Sequence, residues 1–196
     1  MVGVSGNTLF AIRLGQKKYI QASIILNNSF SLLILMALGA FTLGEIFMEP
    51  LLKLFGASEQ TLPVASSYMR IILCGAAFQT IAPGMNHFIR SMGHPKTAMF
   101  REIAGAVTNI ILDYLFIMKF HWGIEGAAWA TIASQLVASA LITQFFVKKS
   151  SPIKIRWRHM KLRAAYVRKI YILGLPPSVM QICNSLMNAI LAWSLT

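Results

Sequence analysis

The sequence predicts an all-α polytopic membrane bundle of about five transmembrane helices, and three observations carry that prediction. Apolar residues make up 56% of the 196 and charged residues only 12%, where a soluble domain carries roughly 25% charge. That leaves too little polar surface to cover a soluble core, and the mean hydropathy of +0.62 excludes a disordered chain. Five apolar stretches, at 20–43, 64–89, 98–118, 124–147 and 170–196, each have the length that crosses a hydrocarbon core. They are nearly uncharged around their circumference, whereas the helices of a soluble bundle need a charged outer face.

In chain order, residues 2–12 are apolar but too short to span, and they are expected to be the inner end of a helix that starts earlier. No basic region precedes them, so no signal peptide is expected. The first span follows Arg13, Lys17 and Lys18, a net charge of +3. The turn-around at 45–63 is net −2, the loop at 90–102 net +2, the link at 119–125 neutral, and the segment at 148–169 net +9. Basic segments alternate with acidic or neutral ones, as the positive-inside rule demands of successive spans. The loops 13–18, 90–102 and 148–169 are therefore expected on the cytoplasmic side of the plasma membrane. Topology accounts for the net charge of +12 without a nucleic-acid partner. The last apolar stretch runs to Thr196 with no closing loop, so both ends are expected to be cut.

The chemistry sits inside the spans. No phosphate-binding loop, zinc-protease pair, serine elbow or dinucleotide fingerprint occurs in the sequence. Cys74 and Cys183 have no metal-ligand spacing and are expected to be buried apolar fillers. His87 is the one histidine placed for a proton relay. In the third span Gly105, Asn109 and Asp113 recur every four residues, on one helical face. Asp113 is the one acid well inside any span, and a carboxylate there is costly unless it faces a partner or a wet cavity.

The fourth span carries two stripes. Gly126, Ala130, Ser134 and Ala138 form a small-residue ridge suited to close helix packing. Beside it run Thr131, Gln135, Ser139 and Thr143. A hairpin brings Thr131 near the level of Asp113, where hydroxyl, amide and carboxylate can hold a proton or coordinate a hard cation. Gln135, Ser139 and Gln79 are further cavity-lining candidates, and back-bonding to their own helix is the simpler role for the hydroxyls.

These blocks resemble the multidrug and toxic compound extrusion (MATE) transporters, most closely the bacterial branch. Arg13, Leu14 and Gly15 are similar to the loop after that family's second helix. Tyr68 to Ile71 followed by Gly75 resembles the opening of its fourth, and Arg90, Gly93 and Pro95 its Arg-x-x-Gly-x-Pro loop. Asn109 through Asp113 to Ile117 resembles its fifth helix; Gly123 to Ala128, then Thr131 and Gln135, its sixth; and Gly174, Leu175, Pro176 and Pro177 the start of its seventh. Tyr114 departs from the pattern, since the family usually places proline after the Asp.

The resemblance implies a twelve-helix, two-lobe antiporter exporting amphipathic or cationic compounds against protons or sodium, with no other cofactor. It implies that Asp113, Asn109 and Thr131 serve ion coupling, together with an Asp on the family's first helix. Residues 1–147 would then be an incomplete first lobe, 148–169 the inter-lobe connector, and 170–196 the first helix of the second lobe. The chain would need the remaining helices, lie among membrane lipids and be inactive alone. The alternatives are a lipid-linked oligosaccharide flippase, which would want several cations deep in its spans, and an inactive truncated membrane protein. A membrane-embedded enzyme would need more convergent acids or histidines than Asp113 supplies.

Overall fold

The computed structural model describes residues 2–54, 59–147, 153 and 162–194, and these form helices joined by short turns. Helix α1 (Val2–Gly15) is followed by α2 (Tyr19–Leu54), α3 (Leu62–Cys74), α4 (Ala76–Ser91), α5 (Pro95–Asp113), a π-helix (Tyr114–Lys119), α6 (Gly123–Val147) and α7 (Ala164–Ser194). Each predicted apolar stretch lies in a helix, but the bounds differ in instructive ways. The first span does not end near residue 43: α2 continues 11 residues further, through Pro50, because Glu45 and Glu49 are good helix formers even where they are poor membrane residues. The second span is two helices bent by 49° at Gly75. A Cβ at Gly75 would stand 2.5 Å from Cγ1 of Ile132 on α6, so the break is also a close crossing.

The expected loop at 90–102 is in fact a three-residue turn. Gly93 takes φ +83° and Pro95 opens α5, which places Lys96, Arg101 and Glu102 on a helix. The turn is short because glycine supplies the left-handed residue and proline the first helical one. The expected connector 148–169 is likewise shortened, since α7 begins at Ala164; most of the remainder lies outside the described residues. Pro176 and Pro177 fall within α7 rather than at its start.

By length and composition alone, Tyr19–Lys53 and Gly123–Val147 are the helices among the described residues that can each cross a membrane, and the bent pair α3–α4 adds a third where it is counted as one span. Helix α5 does not qualify, because its 19 residues carry Lys96, Arg101, Glu102 and Asp113, and α7 contains Pro176 and Pro177. Apolar side chains nevertheless point outward throughout: Ile20, Leu38, Ile46, Phe100 and Ile110 are 58–75% exposed, which suits lipid and not water.

The core lies where α1, α2 and α4 meet. Phe10 packs edge-on against Phe88 with ring centroids 5.2 Å apart, amid Ile25, Leu26, Met85 and Ile89. Helix α7 joins this core through Ile170, and the Arg163 backbone N–H donates to Oδ1 of buried Asn28 at 2.8 Å. Helix α6 packs on the other side of α4, with α5 against it.

Candidate functional site

Helices α4, α5 and α6 enclose a cleft of about 410 Å³, within the size range of small-molecule sites. Its walls follow from the two sequence stripes. Gly126, Ala130, Ser134 and Ala138 are all buried, and Gly105 lets α5 approach so closely that its Cβ would lie 3.1 Å from that of Ala138. This ridge locks α5 to α6 and turns the next face of each helix into the cleft. Arg101, Glu102, Gly105, Ala106 and Asn109 face it from α5, and Thr131, Ser134, Gln135, Ala138 and Ile142 from α6. Gln79, Ala82 and Pro83 close it from α4.

Four of the expected residues are thus brought together: Asn109, Thr131, Gln135 and Gln79. Two are not. Ser139 is 6% exposed and donates its hydroxyl to the Leu136 carbonyl at 2.9 Å, so it is closed on its own helix and does not line the cleft. The four-residue step turns each successive side chain by about 40° around a 3.6-residue helix, which explains how the stripe drifts out of the cleft by its third member. The same drift carries Asp113 off the cleft wall, one turn beyond Asn109.

Asp113 is half-buried and marks the junction where α5 passes into the π-helix. Tyr114, which departs from the resembled pattern of proline after the Asp, retains its N–H and donates to the Ile110 carbonyl, so the chain continues helically through the junction. The wider π turn then follows, with the Phe120 N–H reaching the Leu115 carbonyl at 2.9 Å. Turns of this kind recur at functional sites because they re-aim side chains without ending the helix.

The cleft separates donors from acceptors. The Thr131 hydroxyl donates to the Ala127 carbonyl at 2.9 Å and Ser134 to the Thr131 carbonyl at 2.8 Å, so their oxygens keep lone pairs for a ligand. The Asn109 amide nitrogen is buried without a partner. Glu102 accepts from the Asn86 amide at 2.6 Å on Oε1 and from Arg90 at 2.7 Å on Oε2, tying α5 to α4. Arg101 and Glu102 line the cleft from α5, although charge patterning alone places them in a loop. Counting from Pro95 as the first helical residue places Arg101, Gly105 and Asn109 at four-residue steps, a signal that was available.

Elsewhere the expectations are corrected or displaced. Cys74 and Cys183 are free but exposed, not buried fillers, and a thiol is apolar enough to face lipid. His87 lines a separate cleft of about 370 Å³ between α1, α2 and α4, away from Asp113. Arg70 pairs with Glu45 at 3.6 Å, linking α3 to α2. Among the described residues no cluster of acids, histidines or cysteines could hold a metal ion.

Comparison with known proteins adds to this geometry. Residues 1–115 match the MatE family. The multidrug export protein MepA of Staphylococcus saprophyticus is 30% identical over 97% of this chain, and the match covers 42% of that protein. MepA of Staphylococcus aureus strain NCTC 8325 is 27% identical over 93% of the chain and 40% of its own length. A crystal structure of MATE in the bent conformation superposes with a TM-score of 0.88 at 27% identity, over 94% of this chain and 42% of that one. The chain therefore spans about two fifths of the length of the relatives it matches.

Proposed function

This chain belongs to the MatE family of multidrug transporters, and from that premise we propose that it forms part of a secondary antiporter. The antiporter exports amphipathic or cationic compounds in exchange for protons or sodium ions. The observation that carries the reading is that Asn109 and Thr131 meet in one polar cleft, with Asp113 a single turn beyond Asn109. On this reading Asp113 is the ion carrier. As a carboxylate it takes a proton or a sodium ion; Asn109 and Thr131 offer neighbouring oxygens, and loading shifts the balance between outward-open and inward-open states. Coupling requires only that the ion bind the two states with different affinity.

The transporter has two lobes moving about a site between them; residues 1–147 supply an incomplete first lobe, 148–169 the connector and 170–196 the first helix of the second lobe. The basic ends at 13–18 and 90–102 and the 148–169 segment lie in the cytoplasm, with the whole assembly in the plasma membrane. Partners are the substrates, lipids and the remaining helices, with no nucleic acid.

The test uses proteoliposomes holding the two-lobe transporter that contains this segment, loaded with a cationic dye and given a proton or a sodium gradient. One of the two gradients should drive efflux, and Asp113→Asn should abolish it while leaving insertion intact. Thr131→Ala should slow efflux without stopping it, because one oxygen of several is lost. Undiminished efflux in Asp113→Asn would place the coupling site elsewhere.

A further inference from the structure

The inner half of the cleft holds a cation that the coupling residues leave unused. Arg101 stands on α5 with its guanidinium carbon 5.4 Å from the centre of the Phe145 ring on α6. A ring contact of this kind engages the positive charge but accepts none of the in-plane N–H bonds that a guanidinium offers. Two of its nitrogens, Nε and Nη1, are buried without a hydrogen-bond partner. The Asn109 amide nitrogen, eight residues and about 12 Å of helical rise further along, is buried and unpartnered too.

Glu102 lines the same cleft and is the obvious candidate to neutralise Arg101, yet it is turned to other partners. Its two oxygens accept from Asn86 and Arg90, and among the described residues no ion pair joins it to Arg101. The Arg90–Glu102 pair cancels its own charge, which leaves Arg101 as the uncompensated charge on the cleft wall. Buried donors of this kind call for acceptors.

We propose that the α4–α5–α6 cleft is a binding subsite for the acidic group of an amphipathic organic anion or zwitterion, with Arg101 holding a carboxylate or phosphate. Each free guanidinium nitrogen offers a charge-assisted donor to an oxygen of such a group. Asn109 supplies a donor for a second acceptor several bonds away on the same molecule. Thr131 and Ser134 offer acceptors across the cleft to any donor it carries. A free molecule fits better than a lipid headgroup, because Gln79, Asn109, Thr131 and Gln135 interrupt the cleft's apolar lining with polar groups that an acyl chain would leave unpaired. The subsite extends the compounds recognised from cations to molecules with an acidic group. It is measured as equilibrium binding with no gradient, so its failure is distinct from failure of ion coupling.

The test is a fluorescence titration of the purified two-lobe transporter that contains this segment, in phosphatidylcholine nanodiscs, with dansylglycine and with dansylglycinamide, which share a fluorophore and differ in the charge of the terminal group. The acid should bind about tenfold tighter or more, the scale of a hydrogen-bonded charge. Arg101→Gln should erase the preference. Should that variant fold poorly by circular dichroism, Arg101→Lys decides instead: it keeps the charge, loses the forked donors, and should narrow the preference. Equal binding of the two probes by the parent, or an unchanged preference in the folded variant, overturns the proposal. In phosphatidylglycerol nanodiscs the preference should persist. Its loss there would show a lipid headgroup in the site and overturn the assignment to a free molecule.

Discussion

Helix α4 has two neighbourhoods, and they are built on opposite rules. Toward α1 and α2 it packs closely at its glycines and phenylalanines, beside the cleft of about 370 Å³ that His87 lines. A Cβ on Gly3 would lie 2.6 Å from the Gly84 Cα, and Phe10 meets Phe88 edge-on. Polar residues on that side mostly close on their own helix. Asn27 and Asn28, both fully buried, donate to the carbonyls of Ser23 and Ile24. Its orphaned atoms include Asn7 Oδ1, Ser29 Oγ and Arg13 Nε. Toward α5 and α6 the same helix borders a cleft of about 410 Å³, into which unpartnered nitrogens of Arg101 and Asn109 converge. The first neighbourhood carries a backbone-to-backbone helix crossing; the second gathers polar side chains of three helices around its open volume. Asn86 belongs to both, since it is 1% exposed in the core and yet donates to Glu102 at the cleft.

Substitutions sharpen that contrast. Gly3→Ala should destabilise the fold most, by about 1–3 kcal/mol or more, because the added methyl meets backbone and the overpacked helices must separate. Gly84→Ala should cost less, since its methyl meets the terminal carbons of Leu33, which can rotate away. Thermal unfolding in detergent checks both, and equal losses would break the distinction between backbone and side-chain contact. The smallest effect is expected from Glu102→Gln. Arg90 and Glu102 are about half exposed, so their ion pair contributes no more than about 1 kcal/mol. The glutamine carbonyl can still accept from Asn86. A large loss of stability there would mean that the cleft, like the core, is held by its polar contacts.

The two neighbourhoods were unequally legible in the sequence. Spans and small-residue ridges follow from composition and four-residue spacing, and the ridge Gly126, Ala130, Ser134 and Ala138 packs as expected. The close crossings at Gly3 and Gly75 involve residues far apart in the chain, which no local pattern reports. In the cleft, Asn109 and Thr131 were legible because amides and hydroxyls stand out in an apolar span. Ser139 was misplaced because a helical stripe drifts around its axis. Arg101 was hidden by the habit of placing charge in loops, although only three residues separate α4 from α5.

The central claim is that the core side of α4 serves folding and the α5–α6 side serves transport. It is tested most directly by measuring gradient-driven dye efflux per inserted molecule, together with thermal stability, for Asp113→Asn and Gly3→Ala side by side in the two-lobe transporter. The prediction is that Asp113→Asn abolishes efflux with stability unchanged, while Gly3→Ala lowers stability and the surviving folded molecules still export. Loss of efflux per folded molecule in Gly3→Ala, with export retained in Asp113→Asn, would contradict it.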